Sequence, residues 1–255
     1  MRGLSTDQRD WHDLGLLDPL WAVWSIPEYR FGGGDLEGFF RRGEEEVAAL
    51  LAEAQGNHGL PKRRERALDF GCGVGRLTRA LGRRFDAVTG VDISRSMIEA
   101  AKSLNPGHAN CSFELNAGED LDRFANGHFD LVCSLITLQH VSRRAAVRRY
   151  ISEFVRVTAP GGLVVFQLPT HVAWRIRFHP RRPAYHALRA LGFPIELLYR
   201  RGLYSMALTS LSQAEVLRTV QASGGTLLAC QPDQRSGTPF IPSNTYYVTP
   251  TQTLR

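Results

Sequence analysis

At 255 residues, 43% hydrophobic and 22% charged, the chain has the size of one α/β domain with additions and a composition that excludes a disordered polymer. The stretch MRGLSTDQRDWHDLG carries no signal-type apolar run and no segment is long and apolar enough to cross a bilayer, so a cytoplasmic protein without a transmembrane segment is expected. Four widely spaced cysteines without CxxC or a His cluster predict reduced thiols and no metal site, and a formal charge of +6 asks where the charge sits.

Residues 1–60 read as an addition to the domain that follows. DPLWAVWSIPEYRF precedes a helix over about EGFFRRGEEEVAALLAEA, and the segment is placed to fold over a cleft. Trp21 and Tyr29, with Trp24 and Phe31, are candidates for an aromatic wall against substrate, although aromatic residues in an added segment more often anchor it.

From residue 66 strands and helices alternate. Strand 66–70 leads through a glycine turn to helix 75–84, then strand 86–92, helix 95–104 and strands 111–115 and 128–134. Helix 142–157 follows, with Val147, Ile151, Phe154 and Val155 on one face, and APGG stops it before strand 162–168. Ser94 and Ser142 read as N-caps, and Ser212 with Glu215 as a capping box. GTLLAC and NTYYVT close the chain as two strands. Such alternation predicts a mostly parallel sheet covered on both faces, with ligands beyond the carboxyl ends of its strands. The domain is expected to span 61–255, interrupted by an insertion at 169–211. Within it, residues 171–204 hold seven Arg against Glu196, the whole formal excess of charge, which favours a local anion-seeking or membrane-surface segment over a diffuse nucleic-acid surface.

The glycine turn discriminates between nucleotide-like ligands. Its order is Gly71-Cys72-Gly73-Val74-Gly75-Arg76, so an Arg stands where the dinucleotide fingerprint has its third glycine. A nicotinamide-dependent oxidoreductase is therefore the lesser reading. An acid two residues before G-x-G-x-G, here Asp69, resembles motif I of the class I S-adenosylmethionine-dependent methyltransferases. VTGVDIS, FDLVCSLITLQHV and RVTAPGGLVVFQLP resemble that family's later strands, so the likeness covers residues 66–169 in order.

The resemblance implies a Rossmann-like, doubly wound seven-stranded α/β sheet of order 3-2-1-4-5-7-6 with the last strand antiparallel, and S-adenosylmethionine as cofactor. Gly71, Gly73 and Gly75 would lie against its methionine and ribose parts, Asp69 near its amino group, and Asp92 on the ribose hydroxyls. LNAGEDL would meet the adenine, with Asn116 and Glu119 as candidates; Cys72, Ile93, Ala117 and Ser134 complete the expected cofactor set. His140, following the fourth strand, is the candidate general base, and Gln139 and Gln167 are candidate substrate contacts. Arg forks match carboxylates, so Arg175, Arg177, Arg181 and Arg182 suggest a small-molecule acceptor with an acidic group, held by a lid. Methyl transfer to oxygen or nitrogen is the expected reaction, without nucleic acid as partner; a methyltransferase-fold protein that binds the cofactor without methylating stays open beside it.

Overall fold

The computed structural model describes residues 5–57, 59, 61–177, 180–235 and 240–251. Its centre is a seven-stranded sheet of order β3-β2-β1-β4-β5-β7-β6, built from β1 (Arg66–Phe70), β2 (Ala87–Asp92), β3 (Cys111–Leu115), β4 (Phe129–Ser134), β5 (Thr158–Pro169), β6 (Gly225–Asp233) and β7 (Ser243–Pro250). The first five pair in parallel, whereas β7 runs antiparallel to both β5 and β6, as the resemblance implies.

Side chains alternate across a strand, so each central strand feeds two cores. On one face Leu68 and Phe70 of β1 and Val164, Phe166 and Leu168 of β5 meet α6 (Arg144–Val157) through Val147, Ile151, Phe154 and Val155, and α10 (Gln213–Ala222) through Val216 and Val220. On the other, Ala67, Leu163 and Val165 meet α3 (Leu36–Asn57) and α4 (Arg76–Leu81) through Val47, Leu50, Leu77 and Leu81. The helix α5 (Arg95–Leu104) starts at Ser94, whose hydroxyl accepts from the Met97 N–H, the expected cap.

Three local expectations shift. Ser142 is not a cap: α6 begins one residue later from Arg143 with no side-chain bond, because the Ser142 N–H and hydroxyl both go to the Asp7 carboxylate, at 2.9 and 2.8 Å. APGG does end a helix, but the backbone pairs at once, so β5 starts at Thr158 and absorbs the irregularity as a register shift between Phe129 and Leu131 on β4. The third difference is an unforeseen helix, α1 (Thr6–Leu17), opened by a capping box in which Ser5 and Gln8 satisfy one another's backbone.

Helix α1 is followed by α2 (Pro19–Val23) and a 3₁₀ turn at Pro27–Gly32, and the insertion folds as α7 (Trp174–Arg177), α8 (Arg181–Ala190) and α9 (Ile195–Arg200). Leu14 of α1, Trp21 of α2, Tyr29 of the 3₁₀ turn and Tyr199 of α9 meet Phe39 of α3 and Met97 of α5 in a separate apolar cluster. Acids on α1 face bases on α8: Arg182 lies 3.5 and 3.3 Å from Asp7 and Asp10, His186 3.5 Å from Asp10 and Arg189 3.6 Å from Asp13.

Candidate active site

A cavity of about 760 Å³ opens beyond the carboxyl ends of β1, β2 and β4, where neighbouring strands lead their chains to opposite sides of the sheet. Asp69, Gly71, Cys72, Gly73, Asp92, Ile93, Asn116, Ala117, Glu119 and His140 line it together. These are ten of the twelve cofactor and catalytic candidates, drawn from four separate stretches of chain.

Glycine serves close approach here. Gly71 and Gly73 adopt φ of +76° and +54°, and a Cβ on Gly71 would stand 2.1 Å from Thr137 Cγ2, one on Gly73 2.3 Å from Val23 Cγ2. The first glycine thus admits the loop after β4, and the second admits α2. Gly75 does not line the cavity: it caps α4 at φ +85°, and a Cβ there would strike Phe113 at 2.7 Å. The next residue, Arg76, is ion-paired to Glu46 at 2.8 Å beneath the N-terminal addition.

Asp92 ends β2 with each carboxylate oxygen accepting one backbone N–H at 2.9 Å, from Gly73 and from Ser94. Burial raises its pKa and these N–H groups oppose the rise. A carboxylate has about four lone-pair sites, so beyond the backbone N–H groups of Gly73, Ser94 and Ile93 it keeps some capacity for hydroxyl donors. Asp69 is fully enclosed; burial lifts it to about 6, and the Thr78 hydroxyl donating at 2.6 Å offsets part of the lift. The Asn116 amide turns back on its own loop, 3.2 Å from the Asp120 carbonyl, and exposed Glu119 pairs with Arg143, so both hold the loop's shape.

The His140 ring nitrogen Nδ1 lies 2.9 Å from the Ala207 carbonyl, which can only accept, so Nδ1 carries the proton and Nε2 keeps its lone pair. Gln139 Nε2 donates to that lone pair at 3.1 Å, and burial pushes the imidazole pKa down. Trp11 stands edge-on to the ring at 5.1 Å between centroids. Just upstream Ile136 holds φ +61°, a strained conformation for a β-branched residue, at the point where the chain turns from β4 into the cavity wall.

The remaining candidates lie elsewhere. Ser134 is buried and does not line the cavity, and its hydroxyl is unpartnered among the described residues. Gln139 and Gln167 sit behind His140, and Gln167 is fully buried. Trp21 and Tyr29 are core: Trp21 packs edge-on to Tyr199 and Tyr204, and Tyr29 onto Phe39, so they anchor the addition and form no substrate wall. None of Arg175, Arg181 and Arg182 lines the cavity. Arg175 is exposed beside Trp174, Arg181 bonds the Tyr204 hydroxyl, and the Arg177 side chain lies outside the described residues. Arg182 gives its donors to Asp7, Asp10 and the Ser205 carbonyl, so the acid it was expected to hold on a substrate is supplied by the protein itself.

What the sequence reading missed is α1. Ser5, Thr6, Asp7, Gln8 and Trp11 all line the cavity, and the Gln8 amide donates to the Ala117 carbonyl at 3.2 Å. The signal was present as S-x-x-Q, residues 5–8.

Comparison with known proteins agrees with the geometry. Residues 68–166 match the family described as methyltransferase domain. The chain is 28% identical over 156 residues to the 2-methyl-6-phytyl-1,4-hydroquinone methyltransferase of Synechocystis sp., covering 61% of this chain and 47% of that one. It is 32% identical over 134 residues to the ubiquinone biosynthesis O-methyltransferase of Paracidovorax citrulli, covering 52% and 54%. The chain thus spans about half the length of these curated relatives. Among solved structures, magnesium protoporphyrin IX methyltransferase from Synechocystis PCC 6803 with bound SAH superposes at a TM-score of 0.59, 18% identity, and covers 94% of this chain and 96% of that one.

Proposed function

We propose that this chain, which belongs to the class I S-adenosylmethionine-dependent methyltransferase family, transfers a methyl group to an oxygen of a small-molecule acceptor. The observation that carries the reading is Asp92, buried at the end of β2, oriented by the Gly73 and Ser94 N–H groups and lining the cavity. The donor set fits the cofactor. Asp92 would accept from the ribose hydroxyls, Ile93, Met97 and Ala117 would offer apolar surface to a purine, and Asp69 would supply a carboxylate for an ammonium beside the glycine turn. When bound, S-adenosylmethionine would supply a sulfonium methyl open to in-line displacement by an oxygen nucleophile, with S-adenosylhomocysteine as the leaving group.

The chain's own residues contribute position and a proton acceptor. Holding nucleophile and methyl in line removes much of the entropic barrier. His140, its tautomer set by the Ala207 carbonyl, presents Nε2 to take the acceptor's hydroxyl proton once Gln139 yields its hydrogen bond. Helix α1 covers the cleft and excludes water. Oxygen is favoured over nitrogen by the names of several relatives, a tocopherol O-methyltransferase and ubiquinone biosynthesis O-methyltransferases among them. Both arginines in the cavity wall are already ion-paired, Arg76 to Glu46 and Arg143 to Glu119, so we favour an acceptor without an acid in this cavity over the acidic one. The oxidoreductase reading is not favoured, since the Arg76 side chain fills the place a third fingerprint glycine leaves open.

Calorimetry with S-adenosylhomocysteine tests the assignment. Hydrogen bonds to a charged group are each worth about 1.5–3 kcal/mol, so Asp92→Ala should weaken binding at least about tenfold. Unchanged affinity would remove Asp92 from the site.

A further inference from the structure

The arginines of the insertion divide into two sets. Arg182 and Arg189 point inward onto the acids of α1, as does His186. Past Arg189, along the α8–α9 connection and α9, the pattern changes. Leu198 and Tyr199 are buried against the body, while Leu191, Phe193 and Leu197 are 75%, 41% and 41% exposed. Leu191 and Phe193 stand in the connection between α8 and α9, and Leu197, in the first turn of α9, has Arg200 and Arg201 three and four residues on, so the arginines neighbour Leu197 at the C-terminal end of α9. Both are exposed, and among the described residues neither makes an ion pair or side-chain hydrogen bond.

Exposed apolar side chains along the α8–α9 connection and α9, with two free cations against the single exposed acid Glu196, call for an occupant that is apolar within and anionic at its surface. A nucleic acid offers nothing to Leu191 and Leu197. A second copy would set Arg200 and Arg201 against their like. An anionic bilayer meets both demands, since its interface takes apolar side chains and its headgroups take arginines. We propose that the α8–α9 segment docks the protein on an anionic lipid surface through Leu191, Phe193 and Leu197, with Arg200 and Arg201 on the headgroups. Among the described residues no helix is long and apolar enough to cross a membrane, so the docking is peripheral. Because α8 also grips α1, a protein so docked has its cavity cover tied to the membrane-facing element. The inference does not rest on methyl transfer, because lipid binding is read without turnover.

The test is co-sedimentation of the full chain with vesicles of phosphatidylcholine and phosphatidylglycerol in roughly equal parts, against phosphatidylcholine alone. Three variants accompany the wild type: Leu191→Ser with Phe193→Ser, Arg200→Gln with Arg201→Gln, and Arg218→Gln, an exposed arginine of α10, as control. Each arginine near an anionic surface is worth roughly fivefold in partitioning, so the arginine pair should cost roughly 25-fold. The apolar pair should also lose binding, Arg218→Gln should keep it, and neutral vesicles should hold little of any. Melting temperature is recorded for each protein, and if the apolar pair unfolds the exposed arginine pair decides alone. No sedimentation with anionic vesicles, or equal sedimentation of all variants, overturns the proposal. So does a dimer in vesicle-free solution that these substitutions dissolve, which would assign the patch to a second copy.

Discussion

Burial lifts the Asp69 carboxyl from 3.8 to about 6, so between these values the folded chain keeps a proton that the unfolded chain has released. Stability therefore falls as pH rises through that window, and above about pH 6 the full penalty stands, up to about 3 kcal/mol for a two-unit shift. Asp69→Asn removes the charge and still accepts from Thr78. The variant should melt above wild type at neutral pH, by roughly 2–4 °C per kcal/mol, and converge with it near pH 4. It should also lose cofactor affinity, because an amide does not pair with an ammonium. Equal melting curves at pH 7.5 would mean that the carboxylate is not penalised. His140 shifts the other way: burial lowers it below 6.5, so its neutral, accepting form persists below the ordinary imidazole range. Turnover should stay level from pH 8 to 6.5 and fall only below, and His140→Ala should cut kcat by about 10²-fold or more with cofactor affinity near wild type. A full-rate variant at saturating acceptor would leave positioning as the whole mechanism.

At the scale of elements, the contact between α1 and α8 determines how firmly the cavity is covered. Asp10 is 8% exposed and its pKa is raised, with burial outweighing the pull of His186 and Arg182, so this pair is better shielded from solvent than an ordinary surface bridge. A double-mutant cycle of Asp10→Asn and Arg182→Gln should give a coupling of about 1 kcal/mol, the upper end for partly exposed pairs, and salt should shrink it. No measurable coupling would reduce the α1–α8 contact to packing. The same contact marks where the sequence stops being legible. The sheet could be read because its signals are local: alternation, glycines at positive φ, an N-cap at Ser94 and a capping box at Ser212. The floor of the cavity followed, since Asp69, Gly71, Gly73 and Asp92 stand at fixed offsets from strand ends. The roof could not be read this way. Asp7 meets Ser142 across 135 residues and Arg182 across 175, and nothing in either neighbourhood announces the other. The charge excess of the insertion was visible, but its inward partners on α1 exist only after folding.

For the molecule as a whole, the two cores lie on opposite faces of one sheet and share its strands, so neither can open without the other. Helix α1 belongs to neither. It is held by Leu14 in the third apolar cluster, with the partly buried Trp11 and Leu17 packed against it, and by polar contacts: Gln8 on Ala117, Asp7 on Ser142, the Ser94 and Ser96 hydroxyls on the Trp11 and His12 carbonyls, and the α8 bases. Exposed or partly exposed polar contacts stabilise weakly, so α1 should open at a free energy well below that of global unfolding. Since α1 roofs the cavity, a ligand bound beneath it binds the closed form preferentially. Amide hydrogen exchange should show the α1 amides exchanging faster than those of β4 and β5. S-adenosylhomocysteine at about 100 times its Kd adds roughly 2.7 kcal/mol to the closed form and should slow α1 exchange by roughly 100-fold. Arg182→Gln should speed α1 exchange in the free protein and leave β4 untouched. If the ligand protects the glycine turn and β2 but leaves α1 as fast as before, α1 is a fixed wall or a bystander, and the cofactor enters by a path that does not require it to move.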